Sequence, residues 1–316
     1  MQSSHHGAGA RVVVLGTGGT LAGTAADPGD NVGYQAAQVG VAELLARIPA
    51  LARIDLQAEQ VAQIDSKDMG YAVWRRLAER VAYHLERSDV AGVVVTHGTD
   101  TLEETAYLLQ RVLAPDKPVV LTAAMRPSTA LLADGPQNIV DAVRVALHPG
   151  ARGVVAVLAG TIHAASDVRK QHTYRVDAFG SGDAGPIGVV QEGMLTLWRP
   201  WPVGVALGLR VLASARLPRV AVVTSHADAD GSVVDALRAH GIDGIVAAGT
   251  GNGTLHEGLL AALLRARDEG GVRILRCSRV AAGAVIPTAH DVFESAGALT
   301  PAQARVELLL RLMAPD

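Results

Sequence analysis

The 316 residues of the chain suffice for one large domain or two domains of medium size, and 49% of them are hydrophobic. Only 3% are aromatic, so the predicted core is aliphatic. The formal net charge is −3, and acidic and basic residues are scattered without the basic stripe typical of nucleic-acid binding, so no nucleic-acid partner is expected.

The features that bear on location favour the cytoplasm. The segment 1–11 lacks the apolar core of a signal peptide, and the apolar run at 12–15 has the length of a strand rather than of a membrane span. The single cysteine, Cys277, cannot form an intrachain disulfide. We therefore predict a cytoplasmic protein without a membrane partner.

Short β-branched runs alternate with longer Ala-, Leu- and Arg-rich segments of helical period. The pattern predicts strands at 11–15, 92–96, 118–122 and 153–158, and helices at 41–48, 73–86 and 102–113. This alternation is typical of βαβ units, which build a mostly parallel sheet with helices on both faces. Ligands of such sheets bind in the loops beyond the carboxyl ends of the strands.

A Gly-, Pro- and Asp-rich stretch at 180–188, followed by WRPWP at 198–202, interrupts the alternation. It resumes with predicted strands at 220–224, 244–248 and 274–278 and helices at 234–240 and 301–312. We predict an α/β fold with a larger N-terminal parallel-sheet domain, a linker and a smaller C-terminal α/β domain, at 1–190, 191–217 and 218–316.

The motif TGGTLAG at 17–23 directly follows the first predicted strand. Its adjacent glycines allow a sharp turn and a close approach of the backbone to a ligand. The glycine spacing of a dinucleotide site and the Lys-Ser/Thr pair of a phosphate loop are both absent. The motif therefore predicts a turn that presents the hydroxyls of Thr17 and Thr20 at the ligand-binding end of the sheet.

A second motif, THGTDT at 96–101, ends the next predicted strand. Either Asp100 or Thr101 can cap the following helix, and the same loop can present the hydroxyl of Thr99 beside the carboxylate of Asp100.

The third motif consists of two segments, AMRPS at 124–128 and ADGP at 133–136, and it again follows a predicted strand. There we expect an ion pair between Arg126 and Asp134 to order the loop.

Only three lysines occur in this Arg-rich chain: Lys67, Lys117 and Lys170. Lysine can exchange its proton in a protein, whereas arginine cannot. Lys170 lies in the polar segment SDVRKQHT at 166–173, which follows the strand predicted at 153–158. A lysine near Asp100 and a threonine hydroxyl would ease deprotonation of that hydroxyl. Because the four loops follow successive strands, we expect them to meet at one rim of the sheet.

From 11 to 312 the chain closely resembles the bacterial L-asparaginase family of threonine amidohydrolases. TGGTLAG and HGTDT match the two signatures of that family, and the AMRPS and ADGP segments strengthen the match. The resemblance implies hydrolysis of the side-chain amide of L-asparagine to L-aspartate and ammonia through a threonine acyl-enzyme. It also implies that no metal or organic cofactor is needed, and the scattered histidines lack the spacing of metal ligands.

The resemblance also implies a role for individual residues. Thr20 would be the nucleophile, hydrogen-bonded by Tyr34 when a mobile segment closes. Thr99, Lys170 and Asp100 would handle proton transfer and the incoming water, and backbone N–H groups of the Thr99 loop are candidates for an oxyanion hole. The implied substrate contacts are Asp100 for the α-ammonium group, Ser66 for the α-carboxylate, and Thr99, Lys67 and Ala124.

Three positions depart from the family pattern. Lys67 replaces a glutamine found in many relatives, and a cation there can serve the same α-carboxylate. In those relatives a neighbouring subunit supplies an Asn and a Glu around the α-ammonium group, and alignment puts Thr254 and His290 at these two positions. Loss of that carboxylate is expected to weaken binding or to relax the preference for L-asparagine. The resemblance further implies a homotetramer built from tight dimers, with sites completed across the subunit interface.

Three other interpretations compete with an asparaginase. A glutaminase-asparaginase acts on both amides, and the single methylene that separates them is worth only about 1–3 kcal/mol in a pocket. A subunit that deamidates glutamine for tRNA charging would need a further N-terminal domain, which the first strand at Arg11 disfavours. A non-catalytic amino-acid-binding module predicts the loss of a catalytic group, yet Thr20, Thr99, Asp100 and Lys170 are present.

Overall fold

A computed structural model describes residues 10–214 and 216–314. The chain divides into two compact units, with the boundary between Ala206 and Leu207. Residues 1–9 of the N-terminal segment 1–11 lie outside the described residues. Among the described helices, none is long and apolar enough to cross a membrane.

The first unit is built on an eight-stranded sheet. Its strands are β1 Arg11–Gly18, β2 Leu56–Ile64, β3 Val90–Thr96, β4 Val119–Thr122, β5 Val154–Leu158, β6 Thr161–Ala164, β9 Gly188–Gln191 and β10 Met194–Leu197. A separate two-stranded ladder pairs β7 Arg169–Lys170 with β8 Phe179–Gly180. The helices are α1 Val41–Ala46, α2 Tyr71–Leu85, α3 Leu102–Leu113 and α4 Gly135–Ala146.

The order of the large sheet is β10-β9-β6-β5-β4-β3-β1-β2. The five strands from β2 to β5 pair in parallel, whereas β6, β9 and β10 join with antiparallel pairing. Val12 and Val14 pack with residues of α1 and α4 in one apolar cluster, and Val13, on the opposite face of β1, is fully buried as well. Burial on both faces explains why these strands are nearly continuous runs of Val and Leu.

The second unit contains a four-stranded parallel sheet of β11 Val220–Thr224, β12 Gly244–Gly249, β13 Arg273–Ser278 and β14 Glu294–Ser295. Its helices are α5 Ser232–Ala239, α6 Glu257–Gly270 and α7 Pro301–Met313. Helices α5 and α6 share one apolar cluster with the sheet, and α7 shares another on the opposite face. The predicted fold class, a larger parallel-sheet domain and a smaller α/β domain, is confirmed.

Two local predictions need correction. The segment 191–217 was predicted to be only a linker, but β10 lies within it and pairs with β9 through a tight turn at Glu192 and Gly193. The loop before α4 is ordered by Asp134 without the predicted ion pair to Arg126, in the part of the chain that the structure describes. The Asp134 carboxylate accepts the backbone N–H groups of Met125 and Arg126 at 3.0 Å, and the Arg126 guanidinium donates to the carbonyl of Leu132.

Candidate active site

The turn after β1 carries Thr20. Gly18 and Gly19 have φ angles of 104° and 82°, a backbone conformation that residues other than glycine rarely adopt. Thr20 then begins a short 3-10 turn. The Thr20 side chain is largely buried, and its Oγ lies 2.5 Å from the hydroxyl oxygen of Tyr34. The predicted nucleophile and the predicted tyrosine are therefore in direct contact.

Backbone hydrogen bonds hold the Tyr34 segment over this turn. Thr24 and Gln35 exchange two N–H···O bonds of 2.9 Å, and the N–H of Ala37 donates to the carbonyl of Gly19 at 3.1 Å. Partial burial raises the pKa of Tyr34, and the carboxylates of Asp65 and Asp100 raise it further, although the hydrogen bond to Thr20 acts in the opposite direction. The phenol is therefore neutral at neutral pH.

Lys170 joins the second motif. Its Nζ donates to the Thr99 hydroxyl at 2.9 Å and to the Asp100 carboxylate at 2.7 Å. Thr99 is buried, whereas Asp100 and Lys170 border a cavity of about 430 Å³ that is also lined by Gln171, His172 and Thr173. A hydroxyl, a carboxylate and an amine thus lie together beside this cavity.

The route by which Lys170 reaches this position differs from the prediction. Its loop does not follow β5 directly, because β6 intervenes and runs antiparallel to β5. The rule that ligand loops follow parallel strands therefore does not account for Lys170. The Glu103 carboxylate instead accepts the backbone N–H of Lys170 at 2.8 Å. Glu103 is one of two adjacent glutamates in the first turn of α3, and nothing in the local sequence distinguishes it from its neighbour Glu104.

Ser66 lies beneath the second motif, in a short turn that follows β2. Its Oγ accepts the N–H of Asp100 at 3.2 Å, and its carbonyl accepts the hydroxyl of Thr101 at 2.8 Å. Thr101 occupies the N-cap position of α3, but its side chain makes no capping bond. The loop at 96–101 thus leads into α3 and also presents the side chains of Thr99 and Asp100 to Lys170, as the sequence allowed.

Two further predicted substrate contacts lie in the first unit. Lys67 is exposed, and its ammonium group bridges Asp65 and Asp68 at 3.1 and 2.9 Å. Ala124 is fully buried at the end of β4. The methyl group of Ala124 lies near Gly135 at the start of α4. Their roles in binding stay predictions.

Thr254 and His290 both belong to the second unit. They are exposed and line one cavity of about 210 Å³, together with Arg276, Asp291 and apolar residues such as Phe293. Arg276 forms a short ion pair with Asp291, whose carboxylate also accepts the N–H and the hydroxyl of Thr288. Two of the three positions that depart from the family pattern are thus neighbours in space.

Across residues 10–214 and 216–314, no three His, Cys, Asp or Glu side chains lie close enough together to hold a metal ion. The groups that the first unit assembles are instead two hydroxyls, a phenol, an amine and a carboxylate. This set can perform nucleophilic attack and proton transfer.

Threonine hydroxyls presented by loops of a parallel sheet, beside a phenol, an amine and a carboxylate, form the set of groups that a hydrolase with a hydroxyl nucleophile uses. The chain belongs to the asparaginase family: the family model "Asparaginase, N-terminal" matches residues 11–202, and "Glutaminase/Asparaginase C-terminal domain" matches residues 219–315.

Individual relatives agree with this assignment. L-asparaginase 2 of Escherichia coli strain K12 is 38% identical over 312 residues, which cover 95% of this chain and 88% of the relative. Glutaminase-asparaginase of Pseudomonas fluorescens biotype A is 39% identical over 285 residues, 88% of this chain and 77% of the relative. The crystal structure of the probable cytoplasmic L-asparaginase from Campylobacter jejuni matches with a TM-score of 0.91 and 38% identity, over 97% of this chain and 96% of that chain. The predicted family and the predicted enzyme class are confirmed.

Proposed function

We propose that the protein hydrolyses the side-chain amide of L-asparagine to L-aspartate and ammonia through an acyl-enzyme on Thr20. The observation that carries the proposal is the 2.5 Å contact between Thr20 Oγ and the Tyr34 hydroxyl, together with the cluster of Lys170, Thr99 and Asp100. The turn of Thr20 and the loop of Thr99 meet where Gly19 packs against Gly98. The names of the relatives, L-asparaginase and glutaminase-asparaginase, support the choice of substrate class.

In the acylation step, Thr20 Oγ attacks the amide carbon, and the π electrons of the carbonyl move to its oxygen. Tyr34 serves as a proton relay, because its neutral phenol oxygen can accept the proton of Thr20 as its own proton moves to the leaving nitrogen. The oxygen electron pair then re-forms the C=O bond as the C–N bond breaks, the electron pair of the C–N bond departs with the protonated nitrogen, and ammonia leaves. The product of this step is an ester between the aspartyl group and Thr20.

In the deacylation step, water attacks the ester carbon. Thr99 accepts the proton of this water as its own hydroxyl proton passes to Lys170 Nζ, which releases a proton to the Asp100 carboxylate along the two hydrogen bonds of the cluster. The C=O bond then re-forms, the ester bond to Thr20 breaks, and a proton returns to Thr20 Oγ. Arginine could not perform this exchange.

The same cluster suits the charged ends of an amino acid. We assign Asp100 to the α-ammonium group and the Ser66 hydroxyl to the α-carboxylate. The exposed Lys67 is assigned to the same carboxylate as a cation. The N–H of Thr99 has no acceptor among the described residues and is therefore available to the oxygen that becomes negative during attack. Ala124 completes the proposed substrate contacts.

The test is ammonia release from L-asparagine by the parent, Thr20→Ala and Thr17→Val. Thr17 belongs to the same turn, but its hydroxyl donates to the carbonyl of Thr96 at 2.9 Å and has no role in the proposal. We expect the activity of Thr20→Ala to vanish and that of Thr17→Val to survive. Mass spectrometry of the rapidly quenched parent should find an aspartyl group on the peptide that carries Thr20. Parent-like turnover by Thr20→Ala would overturn the proposal.

A dual glutaminase-asparaginase is the second candidate, favoured by the similarity to a relative of that name. The two substrates differ by one methylene, which a pocket discriminates by only about 1–3 kcal/mol. The ratio of kcat/KM for asparagine and glutamine decides between the two. A ratio near one supports the dual enzyme.

We further propose that the working form is a homotetramer, a dimer of dimers, in which Thr254 and His290 approach the site of a neighbouring subunit. Light scattering of the purified protein measures the mass directly, and a monomer with full activity would refute this assembly. The cytoplasmic location stays a prediction, which fractionation of the source cells tests.

A further inference from the structure

A buried chain of hydrogen bonds lies behind the Thr99 loop and joins three elements of the first unit. The indole Nε1 of Trp74, on α2, lies 2.8 Å from the hydroxyl oxygen of Thr105, on α3. That hydroxyl lies 2.9 Å from Nε2 of His97, which follows β3, and Nδ1 of His97 lies 2.7 Å from the carbonyl oxygen of Gly98. Trp74, Thr105 and His97 are all buried, the last two completely.

The direction of each bond follows from the available protons. Burial lowers the pKa of His97 to about 4, so the ring is neutral and carries one N–H. The carbonyl of Gly98 can only accept, so this proton is on Nδ1, and Nε2 must accept the hydroxyl proton of Thr105. The indole N–H can only donate, and it donates to the Thr105 oxygen. Every member of the chain is therefore satisfied in one arrangement only.

This arrangement orients the peptide group between Gly98 and Thr99. A trans peptide is planar and directs its C=O and N–H to opposite sides, and no cis peptide occurs among the described residues. Because His97 holds the carbonyl of Gly98 toward the buried ring, the N–H of Thr99 points away from the ring. The N–H of His97 itself donates to the carbonyl of Thr122 at 2.8 Å, which fixes the start of the loop against β4.

We propose that His97, Thr105 and Trp74 are positioning residues that aim the N–H of Thr99 at the substrate oxygen on which negative charge develops. This inference rests on the proposed function, because it needs an attack on a carbonyl group at this site. The three residues do not touch the substrate in this proposal. They prevent rotation of one peptide plane, and a donor that is already in place costs no reorganisation during the reaction.

The first pair of variants changes only the hydroxyl. Thr105→Val keeps the volume but removes both the acceptor for Trp74 and the donor to His97, whereas Thr105→Ser keeps the hydroxyl. We expect kcat for asparagine to fall on the order of tenfold in Thr105→Val, with KM nearly unchanged, because the affected interaction forms in the transition state. Thr105→Ser should recover most of the lost kcat.

The second pair tests the donor to Gly98. In His97→Asn the side-chain NH₂ group can occupy the place of Nδ1 and donate to the carbonyl, whereas the amide of His97→Gln reaches the place of Nε2 instead. We expect His97→Gln to lose kcat on the order of 100-fold, as when one oxyanion donor is removed, and His97→Asn to retain most of it. Circular dichroism and thermal unfolding of each variant show whether the unit is folded.

Thr20→Ala, assayed in parallel, separates the two proposals. If Thr20→Ala is inactive while Thr105→Val and His97→Gln turn over like the parent, the positioning role is wrong and the proposed function stands. If His97→Asn and His97→Gln lose kcat equally, or if Thr105→Ser is no better than Thr105→Val, the positioning role is also wrong. Should His97→Gln fail to fold, the Thr105 pair alone decides. Parent-like activity of Thr20→Ala would remove the basis of both proposals.

Discussion

The backbones of Gly19 and Gly98 are in direct contact. A Cβ atom built on Gly19 would lie 2.4 Å from the Cα and 2.5 Å from the nitrogen of Gly98, closer than any real Cβ approaches another atom. The two glycines each precede a predicted catalytic threonine, and they follow the neighbouring strands β1 and β3. Their contact is what brings the turn of Thr20 against the loop of Thr99, and it requires that neither residue has a side chain.

Gly19→Ala should therefore separate the two loops. The new methyl group meets backbone atoms that cannot rotate away, and the φ angle of 82° at this position with ψ near −173° is a conformation almost restricted to glycine. We expect a loss of unfolding free energy of roughly 1–3 kcal/mol from backbone strain, increased by the clash, together with loss of activity.

Chemical unfolding and an ammonia assay check this prediction, with Gly204→Ala as the control. Gly204 is exposed, and a Cβ there would make only ordinary contacts, the nearest at 3.4 Å. If Gly19→Ala kept parent activity and stability while folding normally, the close approach of the two loops would not matter for the reaction.

Much of the fold could be predicted because parallel strands buried on both faces are runs of Val and Leu that stand out from the helices between them. The edge strand β2 was missed, since its sequence LQAEQVAQI mixes polar and apolar residues, as half-exposed strands do. Helix α4 was missed as well. It begins with Gly135 and Pro136, which resemble a loop signal, although proline is favoured in the first turn of a helix.

The site was predictable where loops directly follow parallel strands, as at Thr20 and Thr99. It was less predictable where tertiary contacts determine the position of a side chain. Lys170 follows an antiparallel strand, and its position depends on a carboxylate from α3, 67 residues earlier in the chain. A pattern of single residues contains no information about such a long-range bond. The expectation that Lys170 lies near Asp100 rested on the loop rule, which does not apply after an antiparallel strand, and on the family resemblance.

Tyr34→Phe removes the hydroxyl that contacts Thr20 and leaves the ring. We expect kcat to fall by about 100-fold or more, because the proton relay is lost, with little change in stability. The raised pKa of Tyr34 adds a pH prediction for the parent: the phenol stays protonated to a higher pH than usual, so its ionisation should reduce activity only above about pH 10.

Steady-state kinetics from neutral pH to about pH 10.5 test both statements, with Tyr83→Phe as the control. Tyr83 is exposed on α2, where Arg80 covers its ring. Parent-like kcat in Tyr34→Phe, or equal losses in the two variants, would contradict the relay.

Lys170→Arg should abolish most of the turnover while the fold persists. Arginine retains the positive charge and can still donate to Asp100, but it cannot take part in proton exchange. We expect a loss of kcat of about 100-fold or more, as for removal of an acid–base group. The assay is ammonia release, and thermal unfolding confirms the fold.

Lys117→Arg is the matched control. Among the described residues, the ammonium group of Lys117 donates only to the backbone carbonyl of Arg87, which does not belong to the site. Near-normal turnover by Lys170→Arg would show that Lys170 acts through its charge alone.

Two buried histidines should make the first unit sensitive to acid. Burial lowers the pKa of His97 and of His163 to about 4, below the ordinary value of 6.5. Between these values the unfolded chain binds more protons than the folded chain, so stability present above pH 6.5 is lost as the pH falls toward 4. From pH 7 to pH 5 the expected loss is about 2 kcal/mol for each histidine.

Urea unfolding followed by tryptophan fluorescence measures this loss in the first unit, because Trp74, Trp198 and Trp201 all lie before the boundary at Ala206. His163→Asn should reduce the difference between pH 7 and pH 5 by about 2 kcal/mol, whereas exchange of the exposed His172 for Asn should not. An unchanged difference in His163→Asn would mean that this histidine is not held neutral by burial.

His290→Glu should strengthen the binding of asparagine if the second unit completes a neighbouring site. The new carboxylate would attract the α-ammonium group of the substrate, which the His290 imidazole does not. The nearby Asp291 does not oppose the change strongly, because its own charge is already balanced by Arg276. For one exposed ion pair we expect KM to fall roughly twofold to fivefold, with kcat little changed.

The matched control is His226→Glu, which makes the same charge change at another exposed position of the second unit. If both variants lower KM equally, the effect comes from net charge, and if neither does, position 290 is remote from the substrate. A fall confined to His290→Glu that is larger for asparagine than for glutamine would link this position to substrate preference. Adding Thr254→Asn, which lines the same cavity, should then extend the effect.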